Sequence, residues 1–82
     1  MTAQAIRDFI VRQFYVPDAA ALTDEQSLLE SGIVDSTGVF DLIAFLETTF
    51  HIKVQDAEMV PENLDSIAHM AAYVARKQPA GA

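Results

Sequence analysis

With 82 residues, a hydrophobic fraction of 51% and a formal net charge of -7, this chain is expected to form one small domain, and its charge argues against nucleic acid as a partner. A domain of this size buries only roughly 60 to 65% of the surface its unfolded chain exposes, so an enclosed catalytic cleft is not expected. The excess of 12 Asp and Glu over 5 Lys and Arg also argues against an anionic membrane; basic protein surfaces are its natural complement, although acidity by itself also serves solubility. The absence of Cys removes disulfides and thiolate metal sites. No apolar run is long enough for a membrane span, and Arg7 and Asp8 interrupt the N-terminal apolar pattern, unlike a signal peptide. The expected compartment is the cytoplasm.

Ile6, Phe9, Ile10 and Phe14 recur at helical spacing, which predicts a first helix over residues 2 to about 14 with Thr2 as its cap. Pro17 cannot continue it, because proline lacks the N–H and disfavours helical geometry in the residue before it. A long connection follows over residues 18–35, in which Ala19, Ala20 and Ala21 can form a short turn. Its apolar residues Leu22, Leu28, Leu29, Ile33 and Val34 are expected under the helices, and Gly32 suits a sharp change of direction.

Val39, Leu42, Ile43, Leu46 and Phe50 then fall on one face of the most strongly patterned helix of the chain. Asp35 and Ser36 stand just ahead of it, where short polar side chains accept hydrogen bonds from backbone N–H groups lacking a partner within the helix. After Phe50 the chain leaves in an extended stretch, His51 to Val54, and Asp56, Glu58 and Pro61 introduce a short third helix or turn around residues 58–64. Asp65 or Ser66 caps a last helix whose buried stripe is Ile67, Met70, Ala71 and Val74, with Arg76 and Lys77 suited to its C-terminal end. Residues 79–82 are expected to be a disordered tail. No repeat or strand pairing is visible, so the fold class is all-α: a small four-helix bundle, three longer helices and one short, with a long first loop.

Gly32-Ile33-Val34-Asp35-Ser36, leading into an amphipathic helix rich in Leu, Ile and acids, resembles the phosphopantetheine attachment site of acyl carrier and peptidyl carrier proteins. The family's motif is Asp-Ser-Leu. Here Thr37 and Gly38 follow instead, a variation closer to stand-alone aminoacyl and D-alanyl carriers than to fatty-acid carriers. The resemblance runs from the first helix to Val74 and is specific over residues 28–50.

That resemblance implies a carrier domain over residues 1–78 that catalyses nothing itself. Ser36 would receive 4'-phosphopantetheine from coenzyme A through a phosphopantetheinyl transferase. The arm's thiol would then hold an acyl or aminoacyl group as a thioester, loaded by an ATP-dependent ligase and delivered to an acceptor acyltransferase or synthase. Asp35 would be read by the transferase while shaping the turn, or would only cap the helix. A phosphodiester on Ser36 would lie where unpartnered N–H groups and the helix dipole favour negative charge, by about 0.3 to 1 kcal/mol. The outward side of the second helix is the expected docking face: Thr37, Asp41, Ala44 and Thr48, with Phe40, Phe45 and Glu47 at its margins. Phe40 and Phe45 either supply apolar contact there or pack in the core, and Ile52, Val60 and Leu64 either flank the arm or are core. Gly38, which costs up to about 1 kcal/mol relative to alanine inside a helix and less near its end, either admits a partner or the arm close to the backbone or has no role.

Other chemistries lack their residues. A nucleophile elbow needs Gly-x-Ser-x-Gly, but Val34 occupies the first glycine position. His51 lies about four turns beyond Ser36 at the far end of the same helix, and His51 and His69 lack ligand spacing, so no metal is predicted. Ser27 and Ser31 have no Asp-Ser entrance to a long amphipathic helix; Ser66, after Asp65, comes nearest and is read as a cap. The leading expectation is a monomeric carrier of an aminoacyl or short acyl group. A carrier for fatty-acid or polyketide synthesis is the alternative within the class; an unmodified helical interaction module and a minimal hydrolase of activated esters are the alternatives outside it.

Overall fold

Ile6 and Ile10, one turn apart and both fully buried, define the inner stripe of helix α1, Thr2–Gln13. The structure, a computed structural model, describes residues 2–78; the tail expected at 79–82 lies outside the described residues. Beyond α1 come α2 (Gly38–Phe50), the single turn α3 (Pro61–Leu64) and α4 (Ile67–Lys77), with 3-10 turns at Ala19–Ala21 and Asp56–Glu58. No strand occurs among the described residues, and the arrangement is the all-α bundle with a long first loop that the residue pattern predicts. Thr2 is already helical rather than ahead of the helix, and Phe14 lies one residue past its end, its N–H still donating to Ile10 O at 2.9 Å.

Helices of 11 to 13 residues are marginal alone, so tertiary packing holds them. Both α1 and α3 lie against α4. Leu42, Ile43 and Leu46 of α2 share one core with Ile6 and Ile10 of α1 and Ile67, Met70 and Val74 of α4, and Leu22, Leu28 and Val34 of the long loop complete it. Leu29 departs from expectation: it is 41% exposed. Adjacent residues of an irregular turn point apart, and Leu28 takes the inward place.

Hydrogen bonds hold the loop from both sides. Arg7 Nη2 meets Asp24 Oδ1 at 2.7 Å, and Ala68 N donates to Asp24 O at 2.8 Å, joining the loop to α1 and α4. Pro61 opens α3 at a position where a missing N–H costs nothing, and Asn63 Oδ1 receives Arg76 Nη2 at 2.7 Å.

Tyr73, outside the expected stripe, is nevertheless 1% exposed. Its ring is buried because its hydroxyl has a partner: it donates to Glu58 Oε1 at 3.0 Å, which also receives Lys77 Nζ at 2.9 Å and Gln55 N at 3.0 Å. The Lys77 hydrogen bond, then that of Gln55 N–H, bring Glu58 down from 4.5 to about 2. Burial first, then the hydrogen bond to Glu58, pushes Tyr73 up from 10.0 to about 12. Since the Glu58 pKa falls on folding, its contribution to stability is complete above pH 4.5 and is lost as pH falls toward 2. Since that of Tyr73 rises, its contribution holds below pH 10.0 and is lost toward 12. Glu58→Gln is therefore expected to be less stable at neutral pH and to lose less on acidification from pH 4.5 to 2 than the wild type, measured by urea unfolding across pH. Equal acid limbs would contradict this account.

Candidate functional site

Val34, 1% exposed, is the last inward anchor of the long loop; Asp35, Ser36 and Thr37 after it are all exposed. Asp35 turns back on the chain. Its Oδ1 accepts Gly38 N at 2.7 Å and its carbonyl accepts Val39 N at 3.2 Å, while Thr37 O accepts Phe40 N at 3.2 Å. Thr37 holds the N-cap position of α2 but makes no side-chain capping bond. Asp35 therefore does the capping that sequence alone shared between Asp35 and Ser36, and the Ser36 hydroxyl enters none of the bonds that hold the turn. One expectation needs correction: the N–H groups of Gly38, Val39 and Phe40 already have acceptors within the turn. A phosphodiester on Ser36 would meet the helix dipole, not these groups.

The other serines that could compete are each engaged. Ser27 Oγ donates to Asp65 Oδ2, Ser31 Oγ donates to Leu28 O at 3.2 Å, and Ser66, 1% exposed, caps α4 by accepting His69 N at 3.0 Å. Ser66, rather than Asp65, is thus the cap. Asp65 braces the opposite segment: its Oδ1 receives Leu29 N at 2.9 Å and its carbonyl receives Leu28 N at 2.8 Å. Asp65→Ala is expected to cost about 1 to 3 kcal/mol, because it strips the partners from Ser27 and Leu29 together. Urea unfolding reads the loss, and faster amide exchange at Leu29 locates it.

Ser36 stands on the rim of a cavity of about 240 Å³ between α2 and α3, walled by Leu29, Val39, Met59, Val60 and Leu64, with Pro61 and Asp65 completing the lining. Enclosed small-molecule sites usually occupy roughly 300 to 1,000 Å³, so this is a small apolar trough by comparison. An exposed hydroxyl beside such a trough fits a covalently attached flexible arm. Val60 and Leu64 line this trough, Leu64 also being buried in the core, whereas Ile52 does not line it and packs against the core. Leu29, Val39, Met59, Pro61 and Asp65 join the site without having been foreseen; the exposure of Leu29 and Met59 depends on tertiary packing and leaves no local signal.

On the expected docking face, Thr37, Asp41, Ala44 and Thr48 are exposed, and Phe40 is 65% exposed rather than packed in the core. The two remaining margin residues make structural contacts. Phe45 is half-buried, stacked on Phe9 with ring centroids 4.1 Å apart, and it meets Phe50 edge-on at 5.9 Å. Glu47 accepts Val54 N at 2.9 Å and so ties the end of α2 to the chain that follows. His51 ends α2 in the left-handed conformation, φ 57°, at the opposite end from Ser36. Among the described residues no group of three or more His, Cys, Asp or Glu could hold a metal ion, and no helix is long and apolar enough to cross a membrane.

The family model described as "Phosphopantetheine attachment site" matches residues 4–74. The chain is similar to the probable acyl carrier protein PigG of Serratia sp. (strain ATCC 39006), with 30% identity over 76 residues that cover 93% of this chain and 87% of that protein. It is also similar to the D-alanyl carrier protein of Streptococcus pyogenes serotype M5 (strain Manfredo), with 29% identity over 79 residues, 93% of this chain and 99% of that protein. With its helical bundle and a family match spanning most of its length, the chain belongs to the phosphopantetheine-attachment-site family of carrier proteins, whose cofactor is covalently attached 4'-phosphopantetheine.

Proposed function

We propose that Ser36 is the attachment residue and that the holo-protein carries an aminoacyl or short acyl group as a thioester between an ATP-dependent ligase and an acceptor acyltransferase or synthase. One observation carries the assignment: Ser36 is exposed at the mouth of α2 with its hydroxyl outside the structural bonds, whereas Ser27, Ser31 and Ser66 are each engaged. A phosphopantetheinyl transferase joins Ser36 Oγ to the pantetheine phosphate and leaves the nucleotide half of coenzyme A behind. When bound, the group supplies the thiol that this cysteine-free chain lacks.

Asp35 keeps the turn closed through Gly38 N while its exposed carboxylate remains available for the transferase to read. Thr37, Phe40, Asp41, Ala44 and Thr48 form the face that partners meet, with Phe45 and Glu47 fixing its margins from below. That face carries one carboxylate and one large exposed ring, which favours mixed apolar and polar docking over a purely electrostatic one. Asp-Ser-Thr-Gly and the similarity to a D-alanyl carrier protein support an aminoacyl load; the similarity to a probable acyl carrier protein favours a second reading, an acyl load for fatty-acid or polyketide synthesis. We read the protein as a cytoplasmic monomer, in the compartment where coenzyme A and ATP are at hand.

Intact mass tests the assignment. Incubation with coenzyme A, Mg²⁺ and a broad-specificity transferase is expected to add one phosphopantetheine, with fragment masses assigning it to Ser36. An unchanged mass would favour an unmodified interaction module. The holo-protein offered ATP, a ligase and either amino acids or fatty acids then separates the two loads.

A further inference from the structure

We infer that Gly38 is a positioning residue for the modification of Ser36, acting through Phe14; the inference rests on the reading of Ser36 as the attachment residue. Gly38 is buried although the three residues before it are exposed. A Cβ at this position would lie 2.8 Å from Phe14 Cε1, 3.4 Å from Phe14 Cζ and 3.3 Å from Asp35 Oδ1. The first distance is below van der Waals contact, so the missing side chain admits the Phe14 ring, not a partner or the arm.

Neither neighbour can give way at no cost. The Phe14 ring meets Phe9 edge-on, centroids 6.3 Å apart and planes at 82°, and Phe9 is stacked on Phe45 of α2. The backbone of Phe14 is fixed as well, its N–H donating to Ile10 O. On the other side, Asp35 Oδ1 is held 2.7 Å from Gly38 N by the bond that closes the turn. The seat of Phe14 over Gly38 thus joins the end of α1 to the entrance of α2, and the residue held between Asp35 and Gly38 is Ser36 with Thr37. Helix propensity alone would make alanine the better residue here; the contacts make it the worse one. A Cβ at this position displaces either the ring or the Asp35 carboxylate, and both displacements loosen the turn that presents the Ser36 hydroxyl. Misplacement of a reacting atom by about 1 Å can cost up to about a hundredfold in rate.

The test uses the full chain with coenzyme A, Mg²⁺ and a transferase, and compares wild type, Gly38→Ala, Phe14→Leu and the double variant. The Gly38→Ala variant is expected to be modified about tenfold or more slowly than wild type, with faster exchange of the residue-38 amide. Leucine at 14 has no ring atoms where the new Cβ falls, so the double variant is expected to recover most of the rate and of the amide protection. Should Gly38→Ala alone fail to fold, recovery of both fold and modification in the double variant is the expected result. Wild-type speed in Gly38→Ala, or a double variant no better than the single one, overturns the role of Gly38 while Ser36 stands. A wild type that gains no phosphopantetheine, or gains it elsewhere, overturns the reading of Ser36 and this inference with it.

Discussion

Ser36→Ala is expected to take up no phosphopantetheine under conditions that convert the wild type, while its stability changes by no more than about 0.5 kcal/mol, the usual range for a surface substitution. The two halves of this result come from one arrangement. The entrance of α2 is closed by Asp35, whose carboxylate takes Gly38 N and whose carbonyl takes Val39 N, so the hydroxyl one residue on is not needed for the fold. Intact mass and urea unfolding of the same two samples measure both. Mass gain in the variant would mean that another serine is the acceptor. A loss of more than about 1 kcal/mol, the usual worth of a capping hydroxyl, would mean that the Ser36 hydroxyl helps hold the turn.

Leu46→Ala is expected to do the reverse, removing stability and affecting modification only through the unfolded fraction. Leu46 is fully buried in the core on the inner face of α2. Leucine-to-alanine truncations at such sites cost about 2 to 5 kcal/mol, the lost transfer energy plus that of the cavity left behind. At about 0.05 to 0.15 kcal/mol per residue, a domain of this size has roughly 4 to 12 kcal/mol in total, so the change consumes a large share. The thermal midpoint is expected to fall by about 8 °C or more, since 1 kcal/mol corresponds to about 4 to 8 °C for small domains. Phe40→Ala on the same helix, at a position 65% exposed, is the control and is expected to shift the midpoint little. A Leu46→Ala protein that melts within a few degrees of wild type would contradict the inward orientation of this face.

Local patterns in the sequence determined the helices, their inner faces and the place of the turn. Ile6 with Ile10, Leu42 with Leu46, and Ile67 with Met70 and Val74 repeat at a spacing that can be read without knowing what they pack against. Gly32, at φ +78°, and a cap at Asp65 or Ser66 follow equally from chemistry within a few residues, the structure choosing Ser66. Only the tertiary structure decided the matters that join distant segments. It turned Leu29 outward and gave Asp65 a partner in Ser27, 38 positions away. It made Phe45 a stacking partner of Phe9 while leaving Phe40 bare, and it buried Tyr73 by meeting its hydroxyl with Glu58. The reason is the same throughout. Periodicity and capping are set by neighbours along the chain, whereas a glycine like Gly38 owes its identity to a ring, Phe14, that the fold brings across from another helix.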